Sequence, residues 1–206
     1  MKITKTQGNL LKNIRSDIKQ RNLSEEKDLE CIIEGCKQND RIFQHKLYKL
    51  FSKKMMITCL RYTNNEDEAK DILQDGFIKI FMNIQKYSPS GSFEGWARRI
   101  FINLSIDYFR KKQKQNILTD SDYIENIDLK TEIEEEGTKY NFSSEQVMHA
   151  IQSLSPVYRT VFNLYVMEGY THKEIAQILK ISEGTSKSNL AKAKANLKKR
   201  LTNNEE

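Results

Sequence analysis

Proline is almost missing from this sequence. Pro89 and Pro156 are the two it has, and with only eight glycines the chain is short of helix breakers. Alternating runs of β-branched residues are scarce as well, so nothing reads as a strand and an all-α protein is expected. Long apolar runs are lacking too. No stretch is long enough to cross a bilayer, and no basic n-region leads into an apolar h-region at the start, so membrane insertion is not expected. Cysteine is confined to Cys31, Cys36 and Cys59, an odd number that argues against a disulfide framework and suits a reducing cytoplasm. His45, His149 and His172 stand far from these thiols and from one another. No zinc site is therefore expected, and nothing calls for another cofactor.

What is abundant is charge. Thirty-four Lys and Arg against 28 Asp and Glu give a formal net charge of +6 in 206 residues, with a pI near 9.0. A basic balance of this kind favours nucleic acid or an acidic surface as partner.

The basic residues are most informative in THKEIAQILKISEGTSKSNLAKAKANLKKR, residues 171–200. Thr171-x-x-Glu174 is a capping-box pattern, and Ile175, Ala176, Ile178 and Leu179 form one apolar stripe on a short helix. A break at Lys180-Ile181-Ser182 follows, with Ser182 placed to cap a second helix. On that second helix Leu190, Ala193 and Leu197 face inward at helical spacing, while Lys187, Ser188, Lys192, Lys194, Lys198 and Lys199 occupy the other faces. Two short helices on a tight turn, the second one basic, describe a helix-turn-helix that enters a DNA major groove. Within it, Lys187 and Ser188 are assigned to base edges, and Thr185 and Lys192 mainly to phosphate.

The rest of the chain falls into four parts: a basic N-terminal extension (1–26), a first domain (27–114), an acidic linker (115–142) and a second domain (143–206). The extension carries Leu10, Leu11, Ile14 and Ile18 at roughly helical spacing, which suits either an amphipathic helix or a frayed tail. Helices are expected over residues 28–37, from a cap at Asn39 or Asp40 towards Tyr62, and from a cap at Asn64 or Asn65 to about Tyr87. The middle helix carries Ile42, Phe43, Leu47, Leu50, Phe51 and Met55. Glu66, Asp67 and Glu68 suit the dipole of the third helix's first turn. After the loop signal Ser88-Pro89-Ser90-Gly91-Ser92 comes FEGWARRIFINLSIDYFRKKQK, residues 93–114, rich in rings and cations. Stacking rings beside phosphate-binding cations are what single-strand binding uses, and Trp96, Phe101 and Tyr108 equally suit core anchors. Arg98, Arg99, Arg110, Lys111 and Lys112 cannot all be buried, so a basic surface is expected. In the linker, eight carboxylates between Asp120 and Glu136 reverse the charge. Ser155 followed by Pro156 is a strong helix start in the second domain, which is read as four helices.

Three stretches together resemble the bacterial sigma factors, closest to the short two-domain extracytoplasmic-function type: DEAKDILQDGFIKIF (67–81), FEGWARRIFINLSIDYFR (93–110) and the segment 154–200. The resemblance covers about residues 29–201. It implies that helix 67–87 docks on the largest subunits of core RNA polymerase, with Asp71, Gln74 and Asp75 among the contacts. The loop around Ser90 and the helix bearing Asn103 would hold the melted downstream promoter element, supported by Phe93 and Trp96. The second helix of the helix-turn-helix would read the upstream element, and an anti-sigma protein would be the antagonist. Departures from the family pattern are Lys180, where a glycine is common, Ser186 in a usually aliphatic inward slot, and Asn189 in place of a frequent arginine.

The expected function is thus a non-catalytic specificity subunit that directs polymerase to promoters and assists melting. A stand-alone helix-turn-helix regulator would account for the second domain, but it would leave the acidic-capped helix and the aromatic-basic helix unexplained. A recombinase would need a folded catalytic domain with a nucleophile and positioned arginines, usually on a sheet, and no strands are read.

Overall fold

The computed structural model describes residues 27–118 and 142–202. The N-terminal extension and most of the acidic linker lie outside these residues. Every regular element among the described residues is helical. They are α1 (27–37), α2 (Arg41–Leu60), α3 (Glu66–Asn83), α4 (Phe93–Leu118), α5 (Ser144–Gln152), α6 (Pro156–Phe162), α7 (His172–Leu179) and α8 (Glu183–Thr202). A 3-10 turn, Ile84–Lys86, extends α3, and a π-helical segment, Asn163–Met167, extends α6.

Local chemistry sets the helix starts. Asp40 accepts from the Ile42 amide at 2.7 Å to cap α2, and Asn65 accepts from the Glu68 amide at 2.9 Å to cap α3. Both resolve a choice of two caps that the sequence leaves open. Ser92 accepts from Gly95 N at 3.1 Å and begins α4. Ser143 and Thr171 each form a complete capping box, with Gln146 and Glu174 respectively. Ser155 stands at the N-cap of α6 without a side-chain hydrogen bond, so Pro156 in the first turn carries that start signal.

Two helical bodies result. In the first, α2, α3 and α4 pack with α1 around Leu47, Phe51, Met55, Ile72, Phe77, Ile80 and Phe101. Ile42 and Leu50 do not join this core; they are 66% and 52% exposed, because the inward stripe of α2 runs through Leu47, Phe51 and Met55 instead. Cys36 and Cys59 are buried free thiols, and burial pushes their pKa values up to about 11 and about 12. In the second body, Ala150, Ile151 and Leu154 pack against Ala193 and Leu197. Val161, Leu164, Ile175 and Leu190 form a neighbouring cluster that also takes in Ile102 and Ile106 of α4. The two bodies therefore share α4.

This double use of α4 follows from its sequence. Phe93, Ala97 and Phe101 recur every four residues and face the first core. Arg98, Ile102, Ile106 and Arg110 recur at the same spacing on a second face, which meets the second body.

Candidate nucleic-acid interface

The helix-turn-helix forms as its pattern suggests. α7 ends at Lys180, whose backbone sits in the left-handed region at φ 57°, ψ 44°, the geometry in which a glycine is more comfortable. Ser182 then accepts from the Thr185 amide at 2.9 Å, capping α8. Leu190, Ala193 and Leu197 are buried, as their spacing indicates. Ser186 is also fully buried in its inward slot. Its hydroxyl meets His172 Nδ1 at 3.0 Å, which satisfies a polar group where an aliphatic one would pack. The His172 ring is in turn stacked on Tyr165, with centroids 4.4 Å apart. Asn189 is 9% exposed, so it lies beneath the helix surface.

Thr185, Lys187 and Ser188 are exposed and Lys192 is half-buried on the following turn. The Ser188 hydroxyl donates to Thr185 O at 3.1 Å. Lys187 pairs with Glu183 at 3.0 Å, one turn earlier. Both partners are largely exposed, so this i,i+4 pair is weak and the ammonium can exchange Glu183 for a base or phosphate acceptor.

On the first body, Asn103 is exposed on α4. The loop before α4 is tied by Tyr87, whose hydroxyl donates to Gly91 O at 2.8 Å, and by Ser88 and Ser90, whose hydroxyls are 3.1 Å apart. Behind it, Tyr87, Phe93 and Trp96 form a mutual ring cluster with centroid separations of 5.2–5.4 Å. Phe93 is 2% exposed and packs on Phe51, so it is a core residue beneath the loop and cannot itself meet DNA. Its place among the DNA-contacting residues is corrected on that ground. Trp96 is partly buried against the same core.

The α4 cations divide into two groups. Arg99 and Lys111 face solvent. Arg98 donates to Glu168 through Nε at 2.8 Å and Nη2 at 3.0 Å. Arg110 pairs with Asp107 at 3.3 Å and donates to the Ile178 carbonyl. Lys112 is paired with Glu68. Sequence reasoning finds these cations and misses their partners, above all Glu168. Its side chain is 5% exposed and also takes Arg61 Nη2 at 2.8 Å. Burial lowers the Arg61 pKa although Glu168 opposes the shift, whereas the hydrogen bond to Glu168 raises that of Arg98.

A third surface lies on α3. Asp71, Gln74 and Asp75 are exposed on the face away from the buried Ile72, Leu73 and Phe77. Beside them runs an open groove of about 420 Å³ lined by Tyr48, Lys70, Leu73, Gln74, Phe77, Ile78 and Phe81. Ile78 and Met82, 48% and 75% exposed, continue the apolar surface.

Comparison with known proteins accounts for both bodies. The family described as Sigma-70 region 2 matches residues 47–115, and Sigma-70, region 4 matches residues 144–197. The ECF RNA polymerase sigma factor SigW of Bacillus subtilis is 30% identical over 168 residues, covering 78% of this chain and 85% of SigW. The ECF RNA polymerase sigma-E factor of Haemophilus influenzae is 25% identical over 181 residues, 84% of this chain and 94% of that protein. Among solved structures, the sigma factor RpoE of Bartonella quintana, in complex with the anti-sigma factor NepR, aligns with a TM-score of 0.47 at 19% identity. That alignment spans 77% of this chain and 96% of RpoE. With regions 2 and 4 both matched and SigW 30% identical along most of its length, the chain belongs to the extracytoplasmic-function (ECF) sigma factors of the sigma-70 family.

Proposed function

We propose that this sigma factor binds core RNA polymerase through α3, reads the upstream promoter element with α8, and holds the melted downstream element against the 87–92 loop and α4. It performs no catalysis. The observation that carries this reading is the α3 surface. An exposed acidic and amide row beside an open apolar groove suits a protein-docking surface, which DNA binding alone does not call for. The domain limits 27–114 and 143–206 suit this division, with the acidic segment 115–142 between them either threading the basic channels of polymerase or serving as a passive tether. An anti-sigma protein is the antagonist expected of this family.

Asp75→Lys tests the docking surface. Asp75 is exposed, so the substitution leaves the core intact, and its stability effect is expected to stay within about 0.5 kcal/mol. Reversing the charge should weaken capture of core polymerase about tenfold or more and reduce promoter-directed transcription in proportion. Pull-down of polymerase at wild-type efficiency by a folded Asp75→Lys protein would remove α3 as the docking site.

The recognition helix gives a second expectation. Lys192→Ala should weaken binding to all upstream sequences alike and reduce the salt slope by about one unit, as loss of one phosphate contact does. Lys187→Ala should flatten the ranking of sequences, with about 1–3 kcal/mol of discrimination lost at one position. A panel of upstream duplexes measured at two salt concentrations separates the two effects, and an unchanged ranking with Lys187→Ala rules out base reading by that lysine.

A further inference from the structure

We infer that His172 and Ser186 are positioning residues for promoter reading: their hydrogen bond pins the first turns of α8 and so sets which upstream sequences are preferred. The inference rests on the proposed reading role of α8 and names what aims that helix.

Between residues 182 and 189 the recognition helix has no apolar anchor. Ile181 packs in the turn before this stretch, and Leu190 is the first buried apolar residue after it. The buried residues in between are Ser186 and Asn189, both polar. Ser182, Thr185, Lys187 and Ser188 make their side-chain bonds within α8 and its cap. Ser186 reaches across instead, to His172 Nδ1 on α7 at 3.0 Å. Its side chain is fully buried, so water does not stand in for that partner.

His172 is itself held. It is the first residue of α7, next to Thr171, whose capping box with Glu174 fixes the helix start. Its ring lies on Tyr165 of the π-helical segment, with centroids 4.4 Å apart and an interplanar angle of 22°. That segment is tied to the approach to α7 by Tyr170 N, which donates to Leu164 O at 2.9 Å. Tyr165, His172 and Ser186 thus join three elements in series, and the last of them carries the DNA-reading side chains.

The leverage is geometric. Ser186 stands between Thr185 and Lys187 in the chain, and both neighbours are exposed. Side chains extend about 5–6 Å from a helix axis, so a roll of about 10° moves them by about 1 Å. Hydrogen bonds to base edges tolerate about half of that. An apolar contact such as that of Leu190 is non-directional, whereas a hydrogen bond fixes a direction. The pin therefore acts on the choice among sequences more than on attraction to phosphate.

The test uses the full chain assembled with core polymerase and a panel of promoter duplexes that differ at single upstream positions. His172→Phe keeps a ring on Tyr165 and removes the nitrogen, and Ser186→Ala removes the hydroxyl. Each should compress the spread of affinities across the panel about three- to tenfold, with the salt slope of the wild type. Ser186→Thr retains the hydroxyl, adds a methyl group where the family pattern places an aliphatic side chain, and should match the wild-type spread. In the free chain, amide hydrogen exchange at residues 185–189 should accelerate about fivefold in the first two variants and stay unchanged in the third. Unchanged exchange in both overturns the pin. Faster exchange with an unchanged spread overturns its role in sequence choice, as does an equal loss on every duplex. A threonine variant as flat as the alanine variant shows that bulk sets the turn, and overturns the hydrogen bond. If the wild type itself ranks no upstream sequence, it is the α8 reading that fails, and exchange still decides the pin.

Discussion

Replacing Arg159 with alanine is expected to destabilise the second body by about 2–4 kcal/mol, a loss large enough to abolish upstream binding well below the unfolding temperature of the wild type. Arg159 is 3% exposed, yet its partners are neutral. It donates to the carbonyls of Gln152 and Leu154, where α5 ends, and to Asn64 of the first body. The Gln152 carbonyl is one of the orphan acceptors that the C-terminus of α5 leaves, Leu154 O lies just past the helix end, and the guanidinium satisfies them together. Burial pulls the Arg159 pKa down from 12.5 to about 10, although the Glu68 carboxylate opposes the shift. Alanine would leave both carbonyls buried and unpaired and a cavity the size of the side chain. Lysine would keep the charge and lose the planar fork that reaches both acceptors, so it should recover less than half of the loss. In a body this small each kcal/mol shifts the melting temperature by about 4–8 °C. Calorimetry of the full chain that showed Arg159→Ala melting within about 3 °C of wild type would show that the α5–α6 corner is held by something else.

The legible and illegible parts of this molecule separate by the range of the interactions involved. Asp40, Asn65, Ser143, Thr171 and Ser182 are readable as caps because each bonds an amide two or three residues away. The stripes of α3, α7 and α8 are readable because one helix decides which way they face. Glu168 is not readable. Its partners stand 107 and 70 residues away, and one acidic residue before Gly169 has no periodicity to distinguish it from a solvated turn. The same holds for Asn163, whose partner is a backbone carbonyl 102 residues distant. Helix α4 is the intermediate case. Its cations and apolar residues are both visible in the sequence, and the expectation that some basic surface survives is met by Arg99 and Lys111. One further signal lies in its spacing: Arg98, Ile102, Ile106 and Arg110 share a face distinct from Phe93, Ala97 and Phe101, so the helix has two faces to cover and one core to cover them. Ile42 and Leu50 mark the opposite error, because apolar character alone does not fix a core direction and α2 keeps an exposed face that carries both.

Gly76→Ala should separate α3 from α4 and lower the stability of the first body by about 1–3 kcal/mol or more. A Cβ at position 76 would lie 2.0 Å from Phe101 Cε1, 2.4 Å from Cδ1 and 2.7 Å from Cζ, distances no relaxed pair of atoms adopts. The ring cannot turn aside, since Phe101 is fully buried and meets Phe77 edge-on with centroids 5.5 Å apart. The helices must move instead. That displacement matters for function, because Gly76 follows directly on Asp75 and the same helix lines the apolar groove. Shifting α3 moves the docking row relative to the 87–92 loop and α4, so polymerase capture and downstream-element recognition should fall together. Phe101→Ala removes the obstacle from the other side and opens a cavity costing about 3–5 kcal/mol on its own. The informative combination is Gly76→Ala with Phe101→Leu, in which the smaller side chain makes room for the new methyl group. Direct contact between the two positions requires the double variant to be more stable than the sum of the single effects, by about 0.5–3 kcal/mol. Strict additivity in urea unfolding would show that Gly76 and Phe101 do not meet in solution, and the close approach of α3 and α4 would have to be redrawn.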